Sequence, residues 1–163
     1  MSEAADAQLL QGRAAYAAQA LQLVRGARQE LLLRSDSLEA ALYGGEAFAE
    51  SVKQFLLGSE RARLRLLVLK PQAALRNAAQ LIELCRRLSS KVELREPSPE
   101  QGPIDPCDWL IADRRALLER IGPEALQSQF WPQEPRRGKT RGEDFDTLWN
   151  EAQPSPELRN LSL

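Results

Sequence analysis

The stretch from Leu64 to Arg95 limits the possible folds more than any other part of this chain. Leu64 to Leu69, with Arg65 inside it, is an apolar run of strand length, Pro71 suits the first turn of a helix, and Ala74, Ala78, Leu81, Cys85 and Leu88 recur at helical spacing. Val92 and Leu94 then alternate with Lys91, Glu93 and Arg95, as in a strand with one solvated face. A strand, a helix and a strand in that order form a right-handed crossover between parallel neighbours. Parallel strands need cover on both faces, so the continuously apolar Leu66 to Leu69 belongs at the centre of a sheet. The 91–95 strand, charged on one side, belongs nearer an edge or under loops. The chain is therefore read as α/β, a small mixed sheet flanked by helices.

The flanking segments extend this reading. From Ala4 to Arg28, Leu10, Ala14, Ala17, Leu21 and Val24 form one stripe, which predicts an N-terminal amphipathic helix (1–28) packed on a domain of residues 29–163. Leu31, Leu32 and Leu33 lack helical spacing and read as a short buried strand over Glu30 to Arg34. Phe48, Val52, Phe55 and Leu56 predict a helix that stops at Gly58. Four prolines between Pro97 and Pro106, with Gly102, predict an exposed loop without regular structure, and Trp109 to Ala112 follows as a core strand. Residues Arg114 to Glu134 resolve into no element. Phe145, Leu148, Trp149 and Ala152 predict a last helix, starting at Glu143-Asp144 and ended by Pro154, before a tail that packs through Leu158, Leu161 and Leu163.

Composition decides which chemistries such a domain can host. Its 163 residues include no histidine, which removes Ser-His-Asp and Cys-His catalysis, histidine-ligated zinc and any histidine phosphoryl carrier. With 22 Lys+Arg against 23 Asp+Glu, the chain reads as one ordinary soluble domain, long enough to bury about 70% of its unfolded surface without staples. Cys85 and Cys107 are the two cysteines, and Glu3 and Asp6 stand where a secretory leader would be basic. The expectation is a reducing, cytoplasmic setting, with no membrane span, no cofactor and no metal.

The order of elements, the phrase Asp108-Trp109-Leu110-Ile111-Ala112-Asp113 and the closing Phe145-x-x-Leu148-Trp149 helix resemble one half of a phospholipase D-like fold. More narrowly, Phe145-Asp146-Thr147-Leu148-Trp149-Asn150-Glu151-Ala152 followed by Pro156-Glu157-Leu158-Arg159 is similar to bacterial phospholipase D-like domains of unknown function. Those domains occur alone or behind GNAT-type acetyltransferases. Catalytic members of the superfamily carry HxKxxxxD, in which the histidine attacks phosphorus and the lysine holds the phosphate. Anchoring the motif's aspartate on Asp113 puts its histidine on Pro106 and its lysine on Asp108. Proline carries no nucleophile, and an aspartate in place of a cation repels phosphate. The resemblance therefore implies a non-catalytic relative acting in protein interaction or regulation. It further implies a homodimer paired across the face that carries the motif strand, and an acetyltransferase as candidate partner.

Several other residues invite a chemical reading. Gly138-Lys139-Thr140 ends like a phosphate loop, but Gln133 stands where the first glycine is needed and no apolar strand precedes it. Arg136, Arg137, Lys139 and Arg141 read as a solvated basic loop, with contact to an anionic partner as the functional alternative. Residues 61–95 hold nine arginines and lysines, Arg61, Arg63 and Arg65 among them, against Glu83 and Glu93. This makes nucleic-acid binding the rival function, although the aromatic residues that single-strand stacking needs are absent there. Asp105, Asp108 and Asp113 would suit a divalent metal only if they shared a face, and strand alternation sets Asp108 apart. Cys85 lies on an apolar stripe, and Cys107 is made a poor nucleophile by Asp105 and Asp108. Trp131, beside Pro132, is expected to be exposed at an interface.

Overall fold

A computed structural model of the protein describes residues 7–159. β1 (Gln8–Gln11) leads into α1 (Gly12–Gly26), and β2 (Glu30–Ser35), α2 (Ala40–Tyr43) and α3 (Glu46–Leu57) follow. The crossover comprises β3 (Arg63–Val68), α4 (Pro71–Asn77), α5 (Ala79–Arg87) and β4 (Val92–Glu96). A meander of β5 (Asp108–Ala112), β6 (Ala116–Arg120) and β7 (Gln127–Trp131) precedes α6 (Pro135–Glu151), β8 (Gln153–Pro154) and α7 (Pro156–Arg159).

The strands described form one mixed sheet in the order β1-β7-β6-β5-β2-β3-β4-β8. β2, β3 and β4 are parallel, with Leu66 beside both Leu33 and Leu94. β5 joins β2 antiparallel, Leu33 opposite Leu110, so parallel pairing gives way to antiparallel pairing on either side of β2. β3 is internal, and beyond β4 only the two residues of β8 pair, as the charge pattern of 91–95 anticipates.

Alternation along each strand divides the core. Leu31, Leu33, Leu64, Leu66, Leu110, Leu118 and Phe130 belong to the cluster built with α1, α3 and α5. Leu32, Leu67, Trp109, Ile111, Leu117 and Trp131 belong to the other, closed by Phe145 and Trp149 of α6. β2 is apolar at successive positions because both its faces are covered. Phe145 and Trp149 stack with centroids 5.5 Å apart, one turn from each other on α6.

The structure corrects several expectations. Residues 8–11 pair with β7 instead of starting a helix, and Gly12 at φ 84° makes the turn into α1; Ala4 and its neighbours lie outside the described residues. The buried stripe of α1 is Tyr16, Ala20, Leu23 and Val24, so Ala14 is exposed and only Val24 belongs to the expected set. The single helix expected through Ala74 to Leu88 breaks at Ala78, whose φ −133° and ψ 52° leave the helical region even though alanine is the strongest helix former. Beside it, the Asn77 amide donates to the Ser37 carbonyl at 2.9 Å. The Pro-rich segment contains one 3₁₀ turn, Pro99–Gln101, held by a capping box from Ser98. The unreadable 114–134 stretch is β6, a turn and β7, and Trp131, which ends β7, is buried at 4% exposure in the cluster closed by α6. Leu158 of the tail is buried as expected, whereas Leu161 and Leu163 lie outside the described residues.

The last helix starts at Pro135, eight residues earlier than the apolar spacing suggests. Glu134 accepts from the Arg136 backbone N–H at 3.3 Å, and Pro135 takes the first helical position. Two glycines let this N-terminal half approach the β5–β6 turn: a Cβ on Gly138 would stand 2.3 Å from the Arg114 carbonyl oxygen, and one on Gly142 would meet the Arg114 side chain at 2.8 Å. That turn is a two-residue type I′ reversal, with Asp113 and Arg114 at φ 53° and 54° and Arg115 N–H bonded to the Ala112 carbonyl at 2.9 Å.

Candidate functional site

Where β2 ends, antiparallel β5 begins, and the strand ends converge on Asp108. Asp108 is registered opposite Arg120 of β6, and the two are only 2% and 4% exposed. Arg120 Nε donates to Asp108 Oδ2 at 3.1 Å, while its Nη2 pairs with Glu39 from the loop after β2. Tyr43 of α2 donates to Asp108 Oδ1 at 3.0 Å, which leaves the Tyr16 hydroxyl of α1 as donor to Tyr43 across 2.5 Å. Arg13 closes the outer edge, its Nε 2.6 Å from Glu39 and its Nη2 3.1 Å from the Pro123 carbonyl.

Burial sets the protonation of this network. It pushes the Asp108 carboxyl upward, against the opposing pull of Arg120. Burial and the nearby Asp108 also raise both tyrosines well above their usual value, which keeps them as donors. Burial favours the protonated form of Glu39 as well, but hydrogen bonds from Arg13 and Arg120 outweigh it and leave its pKa lowered. Both oxygens of Asp108 are thus held by protein donors.

The motif-aligned residues have separate fates. Pro106 is exposed in the loop before β5. Asp108, expected to present an anion that repels phosphate, is instead buried and paired with Arg120. Asp113 lies at the far end of β5 and accepts from the backbone N–H groups of Arg28, Gln29 and Glu30 at 2.8–2.9 Å, anchoring the start of β2. It therefore does not share a face with Asp105, as strand alternation had suggested, because it sits in the turn and not in the strand.

The basic residues disperse over the surface. Arg61, Arg63 and Lys91 gather at the amino ends of β3 and β4 with Arg65, where Glu30 and Glu93 lie among them. Arg65 is 3.8 Å from Asp146, Arg86 holds the carbonyls of Glu157 and Leu158, and Arg95 binds the Trp149 carbonyl while lying over its ring. Arg136, Arg137 and Lys139 are exposed on the first turns of α6, not in a loop, and Arg137 lies 4.5 Å over the Trp131 ring. The apparent phosphate-loop Gly138 is a packing glycine inside this helix. Cys85 is fully buried, its thiol pushed up to about 12. Cys107 is raised first by burial, with Asp105 a lesser cause.

Sequence reasoning missed Arg34, Glu39, Arg120 and both tyrosines. Arg34 had a signal, a cation ending the all-leucine run of β2. Arg120 had none, because the strand carrying it was not recognised.

The fold has known counterparts. The DUF7931 family, a domain of unknown function, matches residues 12–161. No curated protein matches the chain in sequence. Among solved structures, the archaeal chromatin protein TrmBL2, described as showing a novel mode of DNA binding, is similar with TM-score 0.68 and 16% identity over 95% of this chain. The chain spans 56% of TrmBL2's length. Nuc from Salmonella typhimurium, a phospholipase D family member, aligns over 92% of this chain and 99% of its own, with TM-score 0.65 and 12% identity. NucT from Helicobacter pylori aligns over the same shares, with TM-score 0.60 and 9% identity. The fold is phospholipase D-like.

Proposed function

The chain belongs to the DUF7931 family, and we propose that it is a phospholipase D-like module without phosphodiester chemistry, acting through binding as an interaction or regulatory unit. The observation that carries this reading is the occupancy of the motif positions. Pro106 supplies no nucleophile, Asp108 supplies no cation, and Asp108 is enclosed by Arg120 and Tyr43. A histidine nucleophile cannot come from elsewhere in the chain, which has none. The test is hydrolysis of bis(p-nitrophenyl) phosphate by the purified chain. The expected result is no release of nitrophenol above buffer; release that scales with protein and follows its chromatographic peak would overturn the reading.

A homodimer is the first partner to test. Leu9, Ile121 and Leu126 are 58%, 82% and 70% exposed. The loop that carries Ile121 and Leu126 also gives its Pro123 carbonyl to Arg120 and Arg13. These apolar groups thus lie at the Asp108 end of the sheet, the face across which the resemblance implies pairing. An acetyltransferase is the candidate heterologous partner, to be sought by co-purification of the tagged chain with a GNAT-type enzyme.

Nucleic-acid binding is the second reading, favoured by the cluster of Arg61, Arg63, Arg65 and Lys91 and by the likeness to TrmBL2. Phosphate contacts predict saturable duplex binding that weakens steeply between low and physiological salt, and that is lost on replacing the three arginines. Fluorescence anisotropy at two salt concentrations separates this from the preferred reading, which predicts no binding at either.

A further inference from the structure

Beside the Pro-rich loop, the sheet ends and α6 enclose a cleft of about 1060 Å³. Three arginines line it, and two are neutralised: Arg120 by Asp108 and Glu39, and Arg141 by Glu119 at 3.1 Å and Asp144 at 2.9 Å. Arg34 has no carboxylate partner among the described residues. It is 3% exposed, its Nη2 donates to the Asp105 backbone carbonyl, and its buried Nε has no hydrogen-bond partner. The guanidinium stacks 4.3 Å over the Trp109 ring, which fixes its plane. Buried polar groups are ordinarily satisfied, so an unpaired nitrogen on a buried guanidinium that lines a cleft points to a missing ligand.

We propose that this cleft binds a small organic monocarboxylate, its carboxylate paired with Arg34 and its apolar body lying against Ile104, Trp109 and Leu148. A planar carboxylate matches a guanidinium edge. The rim argues against a more highly charged anion, because Asp105 and Glu151 also line the cleft with no ion pair among the described residues. Burial without a counter-anion also disfavours the charge on Arg34, a cost that an incoming carboxylate relieves. The site does not depend on the loss of phosphodiester chemistry.

The test is titration of the isotope-labelled full chain with benzoate and hexanoate, with benzamide and phenyl phosphate as controls, followed by nuclear magnetic resonance. The expected result is a saturable shift of the Arg34 Nε–H and Trp109 indole signals by both carboxylates, with no response to benzamide and a weaker one to phenyl phosphate. Arg34→Lys, which keeps the charge but loses the planar fork, is expected to weaken benzoate by about tenfold. Arg34 is buried, so Ile104→Ala, on the half-buried loop, provides a second variant that is expected to weaken hexanoate without disturbing the fold. Lack of saturation by millimolar carboxylate, an equal response to benzamide, a preference for phenyl phosphate, or shifts confined to the Arg61–Arg65 end would each overturn the proposal.

Discussion

Gly138 and Gly142 lie a turn apart on α6, and packing predicts different outcomes for the same substitution. Alanine inside a helix gains about 1 kcal/mol over glycine by propensity. At Gly138 the new Cβ meets the Arg114 main chain at 2.3 Å, where backbone must move, and overpacking costs about 1–3 kcal/mol or more. At Gly142 the nearest atom belongs to the Arg114 guanidinium, which can shift within its pairs to Asp146 and Glu30. Gly138→Ala is therefore expected to destabilise and Gly142→Ala to be near neutral in urea denaturation. Equal effects would mean that Gly138 does not set the approach of α6. Asp113 shows the same economy of position: an aligned motif residue remains useful because its carboxylate serves three backbone donors at the start of β2.

At the scale of elements, the loop between β2 and α2 is tied to the sheet by Glu39, and this tie has a definite pH signature. The folded-state pKa of Glu39 is lowered, so its contribution is present above the unfolded carboxylate value of about 4.3 and is lost as pH falls through the folded one. Asp108 carries the opposite sign. Its pKa is raised, so protonation favours the folded state and its contribution declines as pH climbs through the folded value. Glu39→Gln is expected to be less stable than the parent at neutral pH, with the gap closing as pH falls below about 4. A gap that stays constant with pH would deny Glu39 this role.

The legibility of elements followed the same local logic. β3 and β4 were readable because Leu64 to Leu69 and Val92-x-Leu94 show both strand patterns plainly. β6 and β7 were not, because Ile121, Gly122, Pro123 and Leu126 between them are loop residues that blur the period of 2. The amino half of α6 was hidden by its glycines and cations, since a helix held by backbone approach to a turn has no apolar stripe to display. β1 was hidden because its pairing is made 116 or more residues away along the chain, in the strand that could not be seen.

For the whole molecule, the exposed apolar groups at the Asp108 end bear on assembly. Ile121, at 82% exposure, contributes little to the monomer's core, so Ile121→Asp leaves folding intact while placing a charge in any interface formed there. Light scattering is expected to show a dimer for the parent chain and a monomer for the variant. A parent chain that stays monomeric at high concentration would remove the homodimer. The candidate site was legible from the sequence only as an absence, the lack of histidine and the wrong residues at the aligned positions. The network around Asp108 depends on Tyr16, Glu39 and Arg120, which are far apart along the chain and meet only in the fold.

The account rests on Asp108 being a structural partner of Arg120 at the strand end. A double-mutant cycle of Asp108→Ala and Arg120→Ala, measured by chemical denaturation, tests this directly. A buried charge left without its partner costs about 3–5 kcal/mol, and residues in one network couple by about 0.5–3 kcal/mol. The account predicts single variants that are each strongly destabilised and a double variant more stable than their sum. Additive effects, or an Asp108→Ala chain as stable as the parent, would contradict it.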